Sequence, residues 1–181
     1  ESTMSEQRLQ DIIRKLKTSS DYRNSSSLLS EAKVCLLKLN ALVPQPNTPQ
    51  STLLYAREVF EYGALLSIRA KDAPAFTRYV RQLKVFYELP SDRLPATKCE
   101  KNKIIGLYLL LLLTQGDYAG FHTELEALES RQTSPGVVEA DRYLGYSIKL
   151  ERWLMEGTYD LVWKAMANRE VPSEEYGVFS E

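Results

Sequence analysis

The sequence is poor in the residues from which catalytic and metal sites are usually built. Its 181 residues include one histidine, His122, and two cysteines, Cys35 and Cys99. Two cysteines do not make a disulfide framework, and none of these three residues has the close ligand spacing of a structural zinc site. Glycine-rich phosphate-binding motifs and the G-x-S-x-G elbow are missing as well. We therefore expect a reduced intracellular protein that binds no metal and no cofactor.

Long apolar runs and a strong charge of one sign are also lacking. The longest apolar run, 104–113, falls short of the roughly 20 residues that cross a bilayer. The N-terminus is polar and has no signal-peptide core, and residues 1–3 before Met4 are interpreted as a cloning remnant. The formal net charge is −1, so nothing draws the chain toward nucleic acid or a membrane. We expect neither of these, nor a small-molecule substrate, among its partners.

Helical periodicity runs through the chain, and no segment alternates with period two between hairpin turns. The centre, 104–128, is predicted to be an apolar helix, a corner at Gln115 and Gly116, and a helix that is apolar on one side only. Further helices are predicted over Val137–Glu156, after Gly157 and from Pro172. The sequence thus predicts an all-α fold with a single helical domain over 4–181.

Three tight corners recur at intervals of about 40 residues, each followed by a residue suited to cap a helix. They are Lys71-Asp72, Gly116-Asp117 and Gly157-Thr158. Phe76, Phe121 and Val162 keep the same intervals in the helices that follow. Short corners make neighbouring helices antiparallel, and repeated pairs bury their faces by stacking. We interpret the chain as a TPR-like α-solenoid; the alternative is a helical bundle without a repeat.

His122 would have to serve any histidine-dependent chemistry. It follows the predicted core residue Phe121, and Glu124 and Glu126 are close in sequence. Residues one or two apart on a helix point in different directions, so these groups form no ready-made dyad. A surface histidine is the better interpretation, and we expect no enzymatic activity.

Charges offer the clearest sign of a binding surface. The outer face of the helix that follows Asp72 carries the basic residues Arg78, Arg81 and Lys84, with Lys71 just before the helix. The helix that follows Asp117 carries a second candidate set: His122, Glu124, Glu126 and Glu129. Three tyrosines near helix ends are further interface candidates, namely Tyr87, Tyr118 and Tyr176. The alternative for each charge is an ordinary solvated surface, since exposed ion pairs contribute little.

Four segments carry a family resemblance. They are APAFTRYVRQLK at 73–84, GLYLLLLLTQ at 106–115, FHTELE at 121–126 and LMEGTY at 154–159. With this order and spacing, the sequence from about Leu28 to Tyr176 closely resembles non-ATPase lid subunits of the 26S proteasome regulatory particle, which have a PCI architecture. In that family a stack of helix pairs leads into a winged-helix domain and a C-terminal helix. The resemblance implies that this chain is the helical-repeat part, truncated before both.

The resemblance also implies a function. A lid subunit of this family is a non-catalytic scaffold that helps join lid and base, so that ubiquitinated proteins can be degraded. Its expected partners are other lid subunits and the ubiquitin-receptor subunit of the particle, in the cytoplasm and nucleus. Two alternatives stay open: a scaffold of another PCI complex, such as the signalosome or an initiation factor, and an enzyme that depends on His122.

Overall fold

The computed structural model describes residues 2–18, 22–95, 99–131, 136–167, 172, 174–177 and 179. These residues form helices and no strand, which confirms the all-α class. The helices are α1 (Ser2–Thr18), α2 (Tyr22–Lys38), α3 (Gln50–Arg69), α4 (Ala73–Tyr87), α5 (Lys101–Thr114), α6 (Tyr118–Ser130), α7 (Val137–Ala140), α8 (Arg142–Glu156), α9 (Tyr159–Ala167) and α10 (Glu174–Gly177). The chain divides into two compact units, residues 1–99 (unit 1) and 100–181 (unit 2). The single domain over 4–181 stays a prediction.

Unit 1 is built around α3, which packs against α1, α2 and α4. The apolar residues of α1 that are spaced as on one helix face are all buried: Leu9, Ile12, Ile13 and Leu16. Apolar residues along α3 are buried too: Leu53, Ala56, Val59, Phe60, Ala64 and Ile68. Burying such side chains is the main favourable contribution to folding, at about 1.5–3 kcal/mol for each large one.

Unit 2 is built around α5, whose residues from Ile104 to Leu113 are buried except Tyr108. This helix packs against α6 and α8, and α8 packs against α9. Surrounding helices explain why α5 can be apolar on every side, as the sequence predicted. In contrast, only Phe121 and Leu128 of α6 are buried, so α6 has one apolar face.

The three predicted corners share one backbone geometry. Lys71, Gly116 and Gly157 have φ values of 58°, 72° and 75°, in the left-handed region. In each case the next residue donates its N–H to a carbonyl five residues back: Asp72 to Ser67 at 2.9 Å, Asp117 to Leu112 at 2.9 Å and Thr158 to Trp153 at 3.0 Å. This is the Schellman pattern that ends helices. The recurrence of one corner supports the interpretation as repeated helix pairs.

The side chains that follow these corners repeat as well. Asp72 accepts the N–H of Ala75 at 3.1 Å and Asp117 accepts that of Gly120 at 2.9 Å, so both cap the next helix. The following apolar residues are buried at equivalent places: Phe76, Phe121 and Val162. Thr158 differs, because its hydroxyl donates to the carbonyl of Trp153.

The prediction of one continuous helix over Val137–Glu156 is wrong. It is interrupted at Asp141, whose extended backbone (φ −67°, ψ 136°) separates α7 from α8. The Asp141 carboxylate accepts the N–H groups of Tyr143 and Leu144 at 2.9 and 3.0 Å, and Asn102 donates to its other oxygen at 2.8 Å. An aspartate that can cap a helix and bond a neighbouring helix favours the break. Ser134 and Pro135, which precede Gly136 at the start of α7, lie outside the described residues.

The described helices include no candidate for a membrane span, since none combines sufficient length with sufficient hydropathy.

Candidate protein-binding surfaces

The predicted basic residues of unit 1 lie together along one side of α4. Phe76, Val80 and Leu83 face the core, which turns the opposite side of the helix outward. Arg78 and Arg81 are exposed there, Lys71 is exposed at the corner, and Lys84 is half-buried. We call these four residues the α4 basic surface: Lys71, Arg78, Arg81 and Lys84.

An exposed apolar side chain lies within this surface. Val85, which follows Lys84 on α4, is 44% exposed. Cationic heads beside an exposed apolar side chain suit a polar protein interface, because the long side chains of Arg and Lys also cover apolar area. The arrangement can bind an acidic surface of another protein.

The candidates of unit 2 lie on α6, but not all on one face. His122, Glu126 and Glu129 are exposed and separated by four and three residues, so they line up along the helix. We call these three residues the α6 stripe. Glu124 is half-buried and lies two residues from His122, toward the side of the buried Leu128. The structure therefore groups three of the four predicted residues and separates Glu124 from them.

His122 has a partner that the sequence did not reveal. Its Nε2 lies 3.1 Å from Oε1 of Glu151 on α8, and its ring meets that of Phe121 edge-on. Glu151 is 9% exposed, so one carboxylate oxygen is held at the junction of α6 and α8. The only indication of this pairing in the sequence was the position of Glu151 among the inward-facing apolar residues of α8. The pair connects two helices, and no described hydroxyl or thiol hydrogen-bonds to either residue.

The two cysteines do not form a ligand set. Both are free thiols, Cys35 being buried and Cys99 half-buried. Within the described residues, no group of three or more His, Cys, Asp or Glu side chains is placed to hold a metal ion. Free cysteine in such positions packs as a small apolar side chain.

Unit 1 contains a buried polar cluster that was not predicted from the sequence. Arg57 and Glu61 of α3 are each 5% exposed, with Nε and Oε1 3.5 Å apart. Arg57 also donates from Nη1 to the carbonyl of Pro95 at 2.7 Å, which fixes the loop after α4. Burial, together with the nearby charge of Glu61, raises the pKa of the Tyr87 phenol. The Tyr87 hydroxyl is itself buried within unit 1, which argues against the interface role suggested for it.

The interface role suggested for Tyr176 is wrong. Tyr176 is fully buried, and its hydroxyl donates to the carbonyl of Lys103 on α5 at 2.9 Å. Burial raises its pKa, and the charge of Asp141 acts in the same direction. The absence of a side chain at Gly106 makes room, since a Cβ there would collide with this hydroxyl. Of the three tyrosines, only Tyr118 is exposed, at 39%.

An ion pair reinforces the same attachment. Glu175 is 2% exposed and lies 3.3 Å from Nζ of Lys103. The Tyr176 ring stacks on Tyr143 and meets Tyr146 edge-on. Polar and aromatic contacts together hold α10 against α5 and α8 within unit 2.

Comparison with protein families shows which family unit 2 is similar to in sequence. Residues 100–179, which make up nearly all of unit 2, match the sequence model of the CSN8/PSMD8/EIF3K family. This match supports the PCI-type architecture inferred from the motifs.

The particular relatives are regulatory subunits of the 26S proteasome. The chain is 34% identical over 165 residues to the 26S proteasome regulatory subunit RPN12 of Saccharomyces cerevisiae, covering 89% of this chain and 59% of that protein. It is 37% identical over 164 residues to the 26S proteasome non-ATPase regulatory subunit 8 homolog A of Arabidopsis thaliana, covering 89% and 58%. The rpn12 subunit of Schizosaccharomyces pombe is 34% identical over 159 residues, covering 86% and 54%. These relatives confirm the resemblance, and the chain spans somewhat more than half of their length.

Proposed function

We propose that the chain is the helical arm of a non-catalytic structural subunit of the 26S proteasome lid, within the 19S regulatory particle. In this role it supports assembly of lid and base, and thereby ubiquitin-dependent protein degradation. The observation that carries the proposal is the 34–37% identity, over 89% of the chain, to proteins named as 26S proteasome regulatory subunits.

The proposed mechanism is surface complementarity, with one candidate surface on each helical unit. Capped helices and a buried core hold the α4 basic surface in unit 1, and the same is true of the α6 stripe in unit 2. Little side-chain or loop entropy is therefore lost when a partner binds. Exposed charges that oppose those of a partner act mainly on encounter rate and on partner choice. We propose neighbouring lid subunits as the partners and the ubiquitin-receptor subunit as a further one, with the cytoplasm and nucleus as the location.

The site chemistry supports a role other than catalysis. An acid–base catalyst needs a nucleophile or a substrate proton within hydrogen-bond reach. His122 instead lies against Glu151 at a helix junction, and no described Ser, Thr or Cys joins the pair. We therefore infer that His122 has a structural role. That the protein is not an enzyme is our proposal from its similarity to proteins named as regulatory subunits.

A second candidate is a scaffold in another PCI complex. The matching family description also names CSN8 and EIF3K, and both kinds of scaffold would use the same helical arm. The relatives named above are proteasome subunits, which favours the proteasome.

Co-purification distinguishes the two. The protein is tagged, recovered from cell extract at low salt, and its companions are identified by mass spectrometry. We expect subunits of the 26S regulatory particle in near-equal amounts. Recovery of a signalosome or an initiation factor, with no proteasome subunits, would overturn the proposal.

A further inference from the structure

Unit 1 contains an open groove of about 390 Å³ that borders the α4 basic surface at Arg78, the one residue that the two share. It is lined by residues of α2, α3 and α4. This volume is at the lower end of the range for ligand sites and suits one or two large side chains of a peptide. The groove is therefore large enough to be a binding site.

The floor of the groove is apolar and built by close packing. Leu29, Phe60 and Tyr79 line it, at 5%, 0% and 9% exposure. The Tyr79 ring rests against α3 because residue 63 is glycine: a Cβ there would lie 2.5 Å from its Cζ. Half-buried Leu66 adds a further apolar surface. An apolar side chain that entered the groove would lose water contact against these groups.

The walls of the groove are positively charged. Lys33 on α2 places Nζ 4.6 Å from the centre of the Tyr79 ring, and Arg78 lies on the α4 wall. Neither cation pairs with a carboxylate of the described residues. The one acidic lining residue, Asp72, caps α4 by accepting the N–H of Ala75 at 3.1 Å. Its charge is thus offset by the positive end of the helix.

We propose that this groove binds an acidic peptide segment of a partner protein that carries a large apolar side chain. The apolar side chain lies against Leu29, Leu66 and the Tyr79 ring, and flanking carboxylates pair with Lys33 and Arg78. Charge complementarity favours this ligand over a basic segment, and the chain's net charge of −1 disfavours nucleic acid. The inference deepens the proposed scaffold function and rests on it for the existence of such a partner.

Peptide binding to the purified protein tests the groove without any proteasome. The probe is a fluorescein-labelled peptide, Glu-Glu-Leu-Phe-Glu-Glu, titrated by fluorescence anisotropy. Two comparison peptides replace every Glu by Lys, or Leu-Phe by Ser-Ser. We expect the acidic apolar peptide to bind about tenfold or more tightly than either, and to weaken as salt is raised, because exposed charge pairs are screened.

Charge reversal in the groove provides the decisive variant. Lys33→Glu with Arg78→Glu should weaken the acidic peptide about tenfold or more and allow the lysine peptide to bind. The matched control is Arg14→Glu with Lys15→Glu on the exposed side of α1, which should leave binding unchanged. Equal binding of acidic and basic peptides, or no effect of the groove variant with its helical circular dichroism intact, would overturn the proposal. Co-purification with the proteasome is a separate readout, so failure here would leave the scaffold function standing.

Discussion

Replacing Arg57 by methionine tests how the buried polar cluster contributes to the stability of unit 1. Arg57 and Glu61 are each 5% exposed, and their charged atoms lie 3.5 Å apart. The change removes the cation that faces the Glu61 carboxylate, together with the 2.7 Å bond to the Pro95 carbonyl. Breaking a buried ion pair from one side costs about 3–5 kcal/mol, because a buried charge loses its counter-charge. A domain has only about 5–15 kcal/mol in total.

The double variant Arg57→Met with Glu61→Leu should behave differently. With both charges replaced by apolar side chains of similar volume, no unpaired charge is left, and the cost falls to about 1–3 kcal/mol, that of leaving the Pro95 carbonyl without its hydrogen bond. The two changes should therefore couple by at least ~2 kcal/mol. The free energy of unfolding is measured by urea titration with linear extrapolation, following helical circular dichroism.

An exposed ion pair of the same unit provides the control. Arg8 and Glu31 lie 2.8 Å apart, with side-chain exposures of 49% and 47%. Arg8→Met should cost under about 1 kcal/mol, as exposed pairs do. If Arg57→Met costs no more than Arg8→Met, or if the double variant is as unstable as the single one, the assignment of a buried, paired cluster is refuted.

Three further predictions concern the two cores. Gly106→Ala should lower the free energy of unfolding by about 1–3 kcal/mol in urea titration, because the added Cβ collides with the Tyr176 hydroxyl. Adding Tyr176→Phe should recover part of that cost. If the costs of the two single variants simply added in the double variant, the collision would be refuted. The raised pKa values of Tyr87 and Tyr176 mean that their contribution to stability is intact below about pH 10 and is lost as pH rises further, by ~1.4 kcal/mol per pH unit for each phenol. Phenylalanine at both positions should flatten that slope, and an unchanged slope would be inconsistent with burial. Leu110→Asp should unfold unit 2, since Leu110 is 5% exposed and the new charge would be buried without a partner. The control Leu37→Asp, at a 64% exposed position, should keep a native helical spectrum. A native spectrum for Leu110→Asp would refute the core assignment.

Much of the helical framework was predictable because it depends on local chemistry. Apolar spacing identified the enclosed helix α5 and the one-sided helix α6, and Gly116 with Asp117 marked the corner between them. These features involve residues within one or two turns of each other, so a single sequence contains the whole signal.

The buried charges were not predictable in the same way. Arg57, Glu61 and Glu151 look like surface residues because charged side chains are rarely buried unless paired. Their burial depends on groups far along the chain, such as the Pro95 carbonyl for Arg57 and His122 for Glu151. Periodicity contains no information on such partners.

The candidate surfaces were predicted in part. Local spacing was enough to place Arg78 and Arg81 on the outer side of α4, but it also placed Glu124 with the α6 stripe. The groove beside Lys33 and Tyr79 was not predicted, since it combines residues of three helices.

We propose that this chain docks through its α4 basic surface into the proteasome regulatory particle. The most direct test of this proposal is Arg81→Glu with Lys84→Glu in the tagged protein, with particle subunits quantified by mass spectrometry. Arg14→Glu with Lys15→Glu changes the net charge equally and is the control. We predict that the α4 variant keeps its helical spectrum. The amount of particle subunits recovered with it should fall about tenfold, as expected when like charges meet across an interface. Equal recovery by both variants would contradict it.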